Sequence, residues 1–161
     1  MAAVAYEFPW SGLITNYKFN SNPGWAATFA TLLRSTPWVE PALDNAELVV
    51  PMPLSRQRLQ TRGFNQALLL AKELQPDKTD ASVLLRIKDT PAQSALGRKE
   101  RLLSVKDAFA VDPLMAARAR GKRIVLVDDV MTSGASLYAA ALALRDSGAI
   151  HITSMVIART E

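Results

Sequence analysis

Apolar positions fall into two periodicities along the chain, and their alternation predicts most of its elements. Trp25, Phe29, Leu32 and Leu33 recur at the spacing of an amphipathic helix, so residues 24–35 are read as helical, closed by Thr36-Pro37. Residues 64–74 carry a second helix, with Leu68, Leu69 and Ala71 directed to a core and Pro76 as its stop. Residues 48–52 form a short apolar run entering Pro51-Met52-Pro53, a strand that ends in a rigid turn. Residues 83–87 read as a further strand. Residues 123–127 are a buried strand, 135–147 a helix with Gly148 at its C′ position, and 151–158 a closing strand rich in Ile, Val and Thr. Residues 1–23 scatter Tyr6, Phe8, Trp10, Tyr17 and Phe19 and read as short strand and turn pieces, a small hood-like region. Residues 90–101 are polar, with Pro91 and Gly97, and read as a long exposed loop leading into a basic helix around 98–105.

Strands alternating with helices predict an α/β fold with a mainly parallel central sheet covered on both faces. Ligands of such sheets gather at the carboxyl ends of strands, which would place Pro51 and Asp128 on one edge. At 161 residues the chain suits a single domain.

Composition narrows the class. Apolar residues at 49% and charged residues at 21% suit a soluble globular protein. With no cysteine there is no disulfide and no thiolate zinc site. No apolar run approaches the roughly 18 residues of a membrane span and no signal peptide is evident, so a cytoplasmic location without membrane insertion is expected. The net charge of +4 is unevenly spread: residues 55–123 hold 15 Lys/Arg against 7 Asp/Glu, the rest 4 against 8. A basic middle segment implies an anionic partner.

The chemistry concentrates at Asp128 and Asp129. These adjacent acids end an apolar run and precede the small, hydroxyl-rich segment Thr132-Ser133-Gly134-Ala135-Ser136. A helix start offers unpaired amides and a positive dipole end to phosphate, whereas carboxylates accept from sugar hydroxyls or hold Mg²⁺. Phosphorylated ribose fits that pair of sites; a plain strand, Asp-Asp turn and helix cap fits the same letters. Upstream, the Pro-x-Pro turn is followed by Arg56, Arg58 and Arg62, bidentate donors suited to phosphate. Asn65 and Gln66 open the next helix, by capping or by facing a ligand. His151, the only histidine, lies away from these loops and reads as structural.

The segment from Val127 to Ser136 resembles the phosphoribosyl-pyrophosphate (PRPP) loop of type I phosphoribosyltransferases. Val50-Pro51-Met52-Pro53 and Arg62-Gly63-Phe64-Asn65-Gln66-Ala67 narrow the resemblance to the ComF (GntX-like) family. Tyr17-Lys18-Phe19, Thr90 with Gln93 and Leu96, Arg101 and Asp107-Ala108-Phe109 match in the same order. The resemblance implies that Asp128 and Asp129 bind the ribose hydroxyls. It also implies that Val130, Met131, Thr132, Ser133, Gly134, Ala135 and Ser136 form the ribose and 5′-phosphate loop. Pro51, Met52, Pro53, Leu54, Arg56, Arg62, Asn65 and Gln66 would hold pyrophosphate.

Catalysis of phosphoribosyl transfer would rest on Asp128, Asp129, Arg62, Arg98 and Arg101, through an oxocarbenium-like transition state and stabilisation of the leaving pyrophosphate. Mg²⁺ would accompany PRPP, reaching Asp128 or Asp129 through water. PRPP or ribose 5-phosphate is the implied ligand. Single-stranded DNA and a competence helicase or other uptake proteins are the implied partners. A PRPP sensor without transfer activity and a single-strand-binding component of natural transformation stay open as alternatives. Many members carry a cysteine-rich zinc segment; this chain has none, so no zinc is expected in it.

Overall fold

The computed structural model describes residues 1–19, 23–88, 105 and 107–160. Four parallel strands form the central sheet in the order β1-β6-β5-β2: β1 (Ala2–Ala5), β6 (His151–Arg159), β5 (Arg123–Met131) and β2 (Leu48–Pro51). Helices α1 (Trp10–Phe19), α2 (Trp25–Arg34), α3 (Val39–Asn45), α4 (Arg56–Arg62) and α5 (Gln66–Leu74) come before the second half of the chain. A two-stranded antiparallel ribbon of β3 (Leu84–Arg86) and β4 (Phe109–Val111) follows, then α6 (Ala116–Ala119) and α7 (Ala135–Asp146). The expected parallel α/β architecture is the one observed. Among the described residues, no helix is long and apolar enough to cross a membrane.

Alternation along the strands splits the core into two layers. Val49, Val125, Val127, Met155 and Ile157 pack with Ile14, Tyr17, Phe29, Leu33, Leu43, Leu70 and Leu74 on one face. Leu48, Val50, Ile124, Leu126 and Val156 pack with Leu84, Phe109, Leu137, Ala140 and Leu144 on the other. Both faces of the inner strands are therefore covered, which is why those strands read as unbroken apolar runs. Each fully buried Leu, Ile or Phe contributes about 1.5–3 kcal/mol relative to exposure.

Three expectations need correction. Residues 1–23 are not strand and turn pieces alone: β1 is an edge strand of the main sheet, and Trp10–Phe19 is a helix. Its apolar positions Trp10, Leu13, Ile14 and Tyr17 do follow a helical period, diluted in the sequence by Ser11, Gly12 and Asn16. In α5 the fully buried face is Ala67, Leu70, Ala71 and Leu74; Leu69 is half-buried and packs against that core as expected, and Leu68 is half-buried. The helix starts two residues later than its pattern suggests, at an Asn65 cap whose side chain accepts from the Leu68 N–H at 3.2 Å. Finally, β5 runs on to Met131, so the acid pair lies within the strand and not past its end. Pairing with the nine-residue β6 keeps it extended, with Asp128 opposite Val156 and Met131 opposite Arg159. The long polar loop and basic helix expected over 90–105 fall almost wholly outside the described residues.

Candidate functional site

A cleft of about 610 Å³ opens at the carboxyl ends of β2 and β5. Pro51 pairs with Val127 across these strands, so the turn after β2 and the acids of β5 share one edge, as expected for a parallel sheet. The turn is fixed from both sides. The Met52 N–H donates to the Val127 carbonyl at 2.8 Å, and the Asn65 side-chain amide donates to the Met52 carbonyl at 3.1 Å. Ser55 then caps α4, accepting from the Arg58 N–H at 3.3 Å.

The segment 128–136 lines the cleft without a gap. Gly134 sits at the start of α7 with φ 75°, a left-handed conformation that an L side chain adopts at a cost. It has no side chain to cap the helix, and the first turn, Ala135, Ser136 and Leu137, faces the cleft without an acidic residue. The Ser133 hydroxyl accepts from the Ala135 N–H at 3.4 Å. A twelve-residue helix thus points its positive end into the cavity, a setting that favours an anion.

The two acids are turned apart by strand alternation. Asp129 shares the face of Val125 and Val127, where α1 lies, and its Oδ1 is 3.0 Å from Lys18 Nζ. Asp128 takes the face of Ile124 and Leu126, and its Oδ1 accepts from the Asp129 N–H at 2.9 Å. Burial first, and the charge of Asp129 second, push the Asp128 carboxyl up to about 7; the Asp129 N–H, Lys18 and Arg62 pull the other way. Burial likewise draws the Arg62 guanidinium below its ordinary value, with Asp129 and Asp128 opposing it. Arginine keeps its proton regardless.

Gln66, 1% exposed, knits this wall together. It accepts from Arg62 Nη1 at 3.1 Å, donates to the Lys18 carbonyl at 3.2 Å, and its own carbonyl accepts from the Tyr17 hydroxyl at 2.7 Å. Burial raises the Tyr17 phenol, which stays a donor.

Of the residues singled out in the sequence, Asp128 to Ser136, Met52, Pro53, Leu54, Arg62, Asn65 and Gln66 all line the cleft. Pro51 stands behind it in the sheet, and Arg56 is exposed and does not line it. The reason for the second is helical: Arg58 and Arg62 lie four apart on the cleft side of α4, and Arg56 falls off that face. Arg98 and Arg101 lie outside the described residues. Lys18 and Arg86 also line the cleft, without a role assigned from sequence. Tyr17-Lys18-Phe19 pointed to Lys18 as a matching motif only. Nothing local marks Arg86, which the ribbon delivers with its guanidinium 5.5 Å from the Phe109 ring centre.

Chemically, the cleft combines anion donors on two walls with carboxylate acceptors between them. Among the described residues, no three His, Cys, Asp or Glu side chains gather as a metal-holding group. With Asp129 paired to Lys18, the acids supply too few oxygens for a Mg²⁺ shell unless a ligand brings its own.

Known proteins resemble this chain in sequence and in fold. The phosphoribosyl transferase domain family matches residues 59–161. Competence protein ComFC of Bacillus subtilis (strain 168) is 37% identical over 118 residues, 73% of this chain and 46% of that protein. Competence protein F of Haemophilus influenzae is 32% identical over 164 residues, covering 96% of this chain and 69% of its own length. The DNA utilization protein YhgH of Escherichia coli (strain K12) is 29% identical over 166 residues, with the same coverage of 96% and 69%. The chain thus spans about half of the first relative and about two thirds of the others. A solved structure of the allosteric regulatory enzyme of purine biosynthesis superposes with a TM-score of 0.55 at 15% identity, over 89% of this chain and 30% of that one. At that identity the likeness is one of fold.

Proposed function

The chain belongs to the phosphoribosyl transferase domain family, within it to the ComF competence proteins, and from that premise we propose that its cleft binds PRPP. The observation that carries the reading is the meeting, on one strand edge, of the acid pair, the helix start at 134–137 and the Arg58–Arg62 face of α4. The α7 start and the loop 132–136 take the 5′-phosphate; Asp128 and Asp129 accept from the ribose hydroxyls. Arg58, Arg62 and the turn amides of 52–54 hold the diphosphate. Mg²⁺ carried in with the diphosphate would add charge neutralisation there, reaching Asp128 or Asp129 through water.

Transfer of the phosphoribosyl group follows as the activity of this site. It needs no protein nucleophile; the wall of arginines stabilises the departing diphosphate as the ribose takes on oxocarbenium character. The relatives' names attach them to competence and DNA utilization, and we extend that cellular setting, and a cytoplasmic location, to this chain.

Calorimetric titration of PRPP with Mg²⁺ tests the reading. Wild type is expected to bind in the micromolar range and the Asp128→Asn/Asp129→Asn double variant at least about 100-fold more weakly. Absence of binding to folded wild type would overturn it. Pyrophosphate release across a panel of bases would then separate transfer from sensing.

A further inference from the structure

We propose that Lys18 is a positioning residue of the cleft, orienting Asp129 and compensating its charge from a helix that lies before the family-matched segment. The inference rests on the PRPP reading and deepens it.

Three observations support it. First, the ion pair is not a solvated surface contact: the Lys18 and Asp129 side chains are 17% and 12% exposed, and both line the cavity. A pair so withdrawn from water is held against the site, and removing one partner leaves the other charge uncompensated. Second, Lys18 is held in place independently of Asp129. Its carbonyl accepts from Gln66, the neighbouring Tyr17 donates to the Gln66 carbonyl, and the Tyr17 ring packs 5.4 Å from Phe29 and 6.0 Å from Phe64. The end of α1 is therefore a fixed platform and not a swinging arm. Third, the ligand chemistry requires a counter-charge. A phosphorylated sugar must approach the acid pair, and a cation 3.0 Å from Asp129 Oδ1 reduces the repulsion between that carboxylate and the phosphates. Arg62 reaches the same Gln66 side chain that donates to the Lys18 carbonyl, so Lys18 and Arg62 stand beside the acids on one wall, joined by a shared amide.

A residue that works through Asp129 has a definite thermodynamic signature. In calorimetry with PRPP and Mg²⁺, Lys18→Met is expected to weaken binding about tenfold or more, and Lys18→Arg to stay within about threefold of wild type. In an Asp129→Asn background, Lys18→Met is expected to add less than about twofold, because its partner is already gone. Should Lys18→Met fail to fold, Lys18→Gln carries the same comparison, and the arginine variant tells charge from packing. Additive losses in the double variant would mean that Lys18 touches the ligand itself and would overturn the positioning role. Wild-type affinity in the folded methionine variant would overturn it as well. A wild type that does not bind PRPP removes both this role and the proposed function, an outcome distinct from binding that ignores Lys18.

Discussion

Half-buried in the cleft wall, Asp128 has its carboxyl pushed up to about 7 by desolvation and by the charge of Asp129 beside it. The unfolded chain releases that proton near the ordinary Asp value of about 3.9. Between the two values the folded protein binds the extra proton, so stability falls as pH rises through the interval, and the full cost is present above about 7. Asp128→Asn removes the titration. It is expected to raise the melting temperature by a few degrees at pH 8, about 1–3 kcal/mol, and to change it little at pH 4. Melting curves across that range check the sign; a variant equally stabilised at both pH values would contradict it. At this scale the sequence was legible wherever the site is contiguous. Asp128 to Ser136 could be read as one string because a strand end, a loop and a helix start follow each other directly. Lys18 could be read only as part of a matching motif and Arg86 not at all, since each enters the cleft by tertiary packing.

Gly134 is where two elements exchange roles, the last residue before α7 and the turn of the loop 132–136. A Cβ there would meet Met131 Sδ at 3.6 Å, ordinary contact, so the cost of Gly134→Ala comes from the backbone angle and not from a clash. Denaturant unfolding is expected to show a loss of about 1–2 kcal/mol. Affinity for PRPP is expected to fall by a larger factor, because the loop amides must shift to relieve the angle. Gly148 at the other end of α7, φ 100°, is the stop that its position after the alanine-rich run announced. Element prediction worked where one period ran long enough, as in α2, α7 and β6. It missed α3, which tolerates Pro41 in its first turn, and α4, whose seven residues bury nothing and so show no apolar stripe. Short β4 was equally silent.

At the level of the whole molecule, the matched family segment and the folding unit do not coincide. The match begins at residue 59, yet Ile14, Tyr17, Phe29, Leu33 and Leu43 are fully buried in the layer that backs β5, and β1 closes one edge of the sheet. A chain beginning at residue 24 would lose, among the described residues, the fully buried side chains of Ile14 and Tyr17, and that edge strand. Losing a large buried side chain costs about 2–5 kcal/mol, against a total stability of about 5–15 kcal/mol for a typical domain. Such a chain is expected to lack cooperative unfolding and near-ultraviolet dichroism; a sharp thermal transition would show the N-terminal elements to be dispensable. The sheet that these layers enclose also imposes a rule of parity on the site. Because neighbouring side chains on β5 face opposite layers, inserting one residue between Ile124 and Asp128 would leave every letter of the loop intact. It would nonetheless present Asp128 to Lys18 and Asp129 to the far layer. Two inserted residues would restore the facing of each acid, displaced by about 6–7 Å along the strand. What the strand transmits to the cleft is thus an odd or even count, and the ligand reads the remainder.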